Sequence, residues 1–102
     1  MEWYHYFSGF WAGAFLSNFA PHFVKGICGD KFPTPFAKPH GKGPSSPTVN
    51  VIWALFNLLC GYLLFRFARV STEDNLSLIL FFAGFAAMSI FSSIVFAGKE
   101  KM

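Results

Sequence analysis

Ser46-Pro47-Thr48-Val49-Asn50-Val51-Ile52-Trp53-Ala54-Leu55-Phe56-Asn57-Leu58-Leu59-Cys60-Gly61-Tyr62 is the stretch on which the fold turns. A serine directly before a proline reads as a helix N-cap followed by the first helical position, because proline has no N–H to lose there and its fixed φ suits the helix. No charge then occurs until Arg66. At about 1.5 Å rise per residue, a helix over 47–68 covers the roughly 30 Å of a bilayer's hydrocarbon, with Arg66 and Arg69 marking its exit. Asn50, Ala54, Asn57 and Gly61 fall on one stripe of that helix, so two amides point the same way. An amide in hydrocarbon is costly without a hydrogen-bond partner, and the sequence must supply one elsewhere.

The partners are sought upstream. Residues 3–24 form another apolar run without Lys or Arg, predicted as a first span, with Trp3, Tyr4 and Tyr6 as an interfacial aromatic belt. Its start, Met1-Glu2-Trp3-Tyr4, lacks the basic residues of a cleaved signal peptide. Pro21 is expected to kink or end the helix in its last turn. Asn18 and His22 share one face and are the natural partners for Asn50 and Asn57. Such a cluster reads either as a polar path or ligand pocket between the two helices, or as a hydrogen-bond clamp that fixes their packing, and the second reading carries more weight. Gly9, Gly13 and Ser17 repeat every four residues, a seam that lets another backbone approach, from within the chain or from another copy.

Downstream, Ser71, Thr72, Glu73 and Asp74 supply caps and acidic groups for a third helix over 75–97, which Gly98 and Lys99 are placed to stop. Ala83 with Ala87, and Ser89, Ser93 and Ala97, give it small-residue spacings of its own. The segment between the first two spans, 25–46, differs in kind: it holds four of the six prolines, four glycines and four lysines. Turns and short polyproline-like extension, rather than strand pairing, are expected there.

Composition agrees with an all-α integral membrane protein of three transmembrane helices in a single domain. Of 102 residues, 54% are hydrophobic and 13% charged, too little polar surface to coat a small soluble domain, and fifteen are Phe. The net charge of +3 resides mostly in lysines of the 25–46 loop and the C-terminal tail, which three spans put on the same side. That asymmetry predicts an outside N-terminus with a cytoplasmic loop and C-terminus, and argues against a nucleic-acid partner.

Chemistry is scarce. Cys28 and Cys60 differ in depth and are expected to be free thiols. His5 and His22 lie seventeen residues apart, roughly 25 Å along one helix, and no close ligand pair exists, so no metal or cofactor is expected. Lys42, Gly43, Ser45 and Ser46, running into a helix start, form a candidate anion or lipid-headgroup site, though without nucleotide-loop spacing, and a capped loop is the simpler account. No acidic residue lies in a span and no triad spacing occurs, so no catalytic residue is assigned.

Asn18-Phe19-Ala20-Pro21-His22-Phe23-Val24-Lys25-Gly26, Phe32-Pro33-Thr34-Pro35-Phe36-Ala37 and Gly43-Pro44-Ser45-Ser46-Pro47-Thr48-Val49-Asn50-Val51-Ile52-Trp53 together resemble a group of small bacterial integral membrane proteins of unknown function. The likeness spans about the first two-thirds of the chain. It implies a bacterial inner-membrane location, marks the Pro-His pair and the Pro-rich loop as characteristic of the group, and gives no activity. The expected role is an accessory or structural subunit of a larger membrane complex, with the bilayer and a hetero- or homo-oligomeric protein partner. The alternative is a homo-oligomeric transporter or channel lined by Asn and His. A weaker third is an enzyme or lipid-handling protein using His22, Lys42 and Ser45.

Overall fold

The computed structural model describes residues 2–35, 44–70 and 73–97, and these form an all-helical protein. Three helices follow in chain order: α1 (Trp3–Ile27), α2 (Pro47–Ala68) and α3 (Asn75–Ala97). Each begins and ends for a local reason. At the start of α1, Glu2 and His5 form a reciprocal capping box, with the Glu2 N–H donating to His5 Nδ1 at 3.2 Å. At its end, Gly29 takes a left-handed φ of 76°, and the Asp30 and Gly29 N–H groups donate to the carbonyls of Lys25 and Gly26. Those two bonds make the Schellman closure that glycine permits. Pro21 therefore does not end the helix, which runs on through His22 and Gly26 to Ile27.

Ser46 caps α2 by accepting a hydrogen bond from the Val49 N–H at 3.2 Å, with Pro47 next, an arrangement that stabilises the helix by about 1 kcal/mol. Arg69 closes it in the left-handed region. Asp74 caps α3 through its carboxylate, which accepts from the Leu76 and Ser77 N–H groups. The expected stop at Gly98 and Lys99 lies outside the described residues.

α1 is the middle of the bundle. Its contacts with α2 run antiparallel, from Gly26 beside Pro47 and Val51 to Gly9 beside Ala68. Its contacts with α3 run parallel, from Tyr6, whose hydroxyl donates to Asp74 Oδ2 at 3.1 Å, to His22, which meets the Phe96 ring edge-on. The chain thus passes up, down and up. α2 and α3 touch each other little and leave a cleft floored by α1.

Between α1 and α2 the described part of the connection folds back on the helices. Phe32 and Ser45 exchange backbone hydrogen bonds of 3.2 and 3.0 Å, an isolated antiparallel bridge where strand pairing was not expected. It stays one pair wide because Pro33 and Pro35 have no N–H to extend it. Phe32, Pro33 and Thr34 are nonetheless buried.

The burial pattern is inverted relative to a water-soluble protein. The largest fully buried side chains include His22, Asn50, Asn57 and Thr34, whereas Ile52, Phe82, Ile90 and Ile94 are more than 60% exposed. Polar groups and small residues face inward; aliphatic and aromatic bulk faces out.

Candidate functional site

α2 presents Asn50, Ala54, Asn57 and Gly61 as one buried stripe toward α1. The four polar residues singled out in the sequence meet across that interface as two separate pairs. Asn18 Nδ2 donates to Asn57 Oδ1 at 3.0 Å, and His22 Nδ1 lies 2.8 Å from Asn50 Oδ1. Antiparallel register dictates the order: stepping toward the C-terminus of α1 means stepping toward the N-terminus of α2.

Each amide's orientation follows from its other bonds. Asn50 Nδ2 faces three carbonyl oxygens, of Phe32 at 2.9 Å, Ser46 at 3.0 Å and Ser45 at 3.3 Å. Carbonyls only accept, so the nitrogen must face them and the oxygen must face His22. The imidazole then has to donate from Nδ1, which makes Nε2 a lone-pair acceptor in the neutral ring. Asn57 Nδ2 likewise donates to the Trp53 carbonyl at 2.8 Å, so its oxygen receives from Asn18, and among the described residues the Asn18 oxygen is uncommitted. Asn50 is thus the hub of the loop end of the molecule, tying α1, α2 and both limbs of the bridged connection together.

The Gly9, Gly13 and Ser17 seam divides between partners. A Cβ on Gly13 would overlap the Phe81 carbonyl of α3, while Gly9 faces Ala68 and Val70 at ordinary distances of 3.6 and 3.7 Å. Ser17 Oγ lies 2.7 Å from Ser89 Oγ, and since Ser89 spends its proton on the Phe85 carbonyl, Ser17 is the donor. Of the candidate anion site, Lys42 and Gly43 lie outside the described residues. Ser45 is buried with its hydroxyl 2.7 Å from that of Thr34, and Ser46 is engaged as the cap. Both hydroxyls therefore serve the fold.

Several residues escaped the sequence reading. On α3 the closest approach is at Gly84, where a Cβ would overlap the Phe10 carbonyl, rather than at Ala83 or Ala87, which are exposed. The available signal was the seven-residue spacing of Ser77 and Gly84, both buried, which is two turns of one face. Tyr6 with Asp74 carried no local signal, since sixty-eight residues separate them.

At the loop end of the cleft, α1, α2, α3 and the Pro33–Pro35 limb enclose a cavity of about 220 Å³ that opens on one side. His22 and Asn18 form its polar wall on α1, Thr34 and Ser92 add a hydroxyl each from the connection and α3, and Trp53, Phe91, Phe96 and Pro33 make much of the rest. Among the described residues, none that lines it is charged. Among the described residues no group of His, Cys, Asp or Glu could hold a metal ion, and Cys28 and Cys60 are free.

The class defined is an all-α protein in which two helices, α2 and α3, are long and apolar enough to cross a membrane. α1 is as long but less apolar, because Ser8, Ser17, Asn18 and His22 lie within it. Compared with protein-family models, curated proteins and solved structures, the chain has no match.

Proposed function

We propose that the protein is a three-span integral membrane protein of the bacterial inner membrane that serves as an accessory or structural subunit of a larger membrane complex. The observation that carries this reading is the inverted burial pattern: amides and imidazole are paired inside, and an almost unbroken aliphatic and aromatic surface lies outside. Such a surface suits lipid and neighbouring transmembrane helices. α1 serves as the third span despite its lower hydropathy, because its polar side chains are turned to α2 and α3 and not to lipid. The longest dimension, 44 Å, fits a bilayer with its interfaces.

A homo-oligomeric path lined by Asn18, His22, Asn50 and Asn57 has less support, since these side chains bond to one another within one chain. The Asn50 and Asn57 amides, matched on both atoms inside the monomer, have little left to offer a permeating ion.

Lysine distribution supports a cytoplasmic loop and C-terminus with the N-terminus outside. Cys28, exposed beside the loop, makes that testable: an impermeant maleimide should label it in inside-out vesicles and spare it in intact spheroplasts. The reverse labelling would invert the topology. For the subunit role, extraction from the native membrane in mild detergent followed by native mass spectrometry should give a heterologous complex of fixed stoichiometry. Recovery only as a monomer or a homo-oligomer would refute it.

A further inference from the structure

The cavity at the loop end combines an apolar enclosure with an acceptor that the fold has fixed and left unused. His22 is 1% exposed, yet only its Nδ1 is spent; among the described residues Nε2 has no hydrogen-bond partner. An acceptor presented to a largely apolar enclosure without a donor is unfavourable, so a fold that orients one so firmly points to something that satisfies it. The Asn50 amide, held by three carbonyls, sets the tautomer, and a Phe32, Trp53 and Phe96 edge-on cage sets the ring plane. His22 lines the cavity, and Nδ1 is the ring nitrogen committed to α2. The unspent Asn18 oxygen, one helical turn away on the same face, is a second acceptor on the same wall.

We propose that this cavity is a binding site for a neutral aromatic alcohol, a flat ring system whose hydroxyl donates to His22 Nε2. Neutrality follows from the described lining residues, none of which is charged. A donor is required because the committed polar atoms on the α1 wall are acceptors. Flatness and apolarity follow from walls of indole, phenyl and proline faces. The volume, about 220 Å³, suits a one- or two-ring molecule and lies below the usual range for drug-sized ligands. The site stands whether or not the protein belongs to a larger assembly, since every wall comes from one chain.

The probe is 2-naphthol, with 2-methoxynaphthalene as the isostere that lacks the donor. Histidine-labelled protein in detergent micelles is titrated while the imidazole ¹⁵N resonances are followed. The free protein should show His22 with a protonated Nδ1 and a bare Nε2. 2-Naphthol should shift Nε2 saturably, and 2-methoxynaphthalene should bind at least about tenfold more weakly without that shift. Val95→Phe, which fills the cavity from α3, should cost at least about tenfold in 2-naphthol affinity, while the Nδ1–H signal in the same spectrum reports that the Asn50 tether persists. A linear, non-saturable response, equal binding of the methyl ether, or a free His22 protonated at Nε2 instead would each overturn the proposal. The methyl-ether comparison needs no variant, so it decides the matter even if Val95→Phe disturbs the fold.

Discussion

Along α1, the face turned to α3 is nearly bare and the face turned to α2 is polar. Against α3, Gly13 and Gly84 remove side chains so that each backbone meets the other helix directly, and one hydroxyl pair, Ser17 with Ser89, adds to the contact. Against α2, Asn18 and His22 reach across to Asn57 and Asn50, and closeness is confined to Gly26 and Gly61. In the bilayer location proposed above there is no hydrophobic drive for apolar helices to associate, and the two interfaces then rely on dense packing in one case and hydrogen bonds in the other. The two fail differently: packing tolerates loss of polarity but not added volume, and a hydrogen-bonded interface the reverse.

Added volume should therefore have the largest effect, on the α3 side. Gly84→Ala drives a methyl into the Phe10 carbonyl, which cannot swing aside as a side-chain tip could. The helices must separate along their length, and the cost is expected near the upper end for overpacking, about 3 kcal/mol. Unfolding midpoints in mixed micelles titrated with dodecyl sulfate measure it. Gly9→Ala, with its nearest neighbours at 3.6 and 3.7 Å, is the control and should change the midpoint little.

Lost polarity should matter next, and on the α2 side. Asn50→Leu keeps the heavy-atom count and branching but strands the His22 Nδ1–H and withdraws the donor from three carbonyls at once. Its expected cost is about 2 kcal/mol, with the Phe32–Ser45 bridge loosened. Asn57→Leu breaks a smaller set, one bond to Asn18 and one to its own helix, and should cost about 1 kcal/mol. Equal effects at the two positions would mean that the hub at Asn50 is no more than a second interhelical pair. A faster exchange of the Phe32 and Ser45 amides in Asn50→Leu alone would locate the difference in the bridged connection.

What could be read in advance follows this same division. The start of α2 is written locally in Ser46 and Pro47, and the stripe through Asn50, Ala54, Asn57 and Gly61 needs only helical periodicity to be seen. That Asn18 and His22 should answer it follows from the cost of an unpaired amide. The order of pairing follows from antiparallel helices, but how closely each pair meets does not, because vertical register is set by the sum of all contacts along 25 residues of α1, not by either residue. Gly84 was hidden for the same reason. Four-residue spacings of small residues occur at several rotations around α3, and only docking on α1 chooses the rotation that turns Ser77 and Gly84 inward and leaves Ala83 and Ala87 exposed. Pro21 predicts on local grounds a kink or an end to the helix, whereas the end is decided eight residues later by Gly29. The cavity had no sequence signature, since its walls come from all three helices and the connection between the first two.

The smallest effect tests whether polarity matters at all on the α3 side. Ser17→Ala removes the donor to Ser89 but leaves the Ser89 hydroxyl bonded to the Phe85 carbonyl, so no proton is stranded by the change. Only an acceptor lone pair on Ser89 loses a partner, and hydroxyl oxygens tolerate a spare lone pair far better than a buried N–H tolerates a missing acceptor. The methyl of alanine also preserves the packing of a buried position on α1. A shift of about 0.5 kcal/mol or less is expected by the same dodecyl sulfate titration, below that of Asn57→Leu. A loss matching that of Asn50→Leu would show that the hydroxyl pair, and not the glycine contacts, holds α3 in place, and would erase the distinction between the two faces of α1.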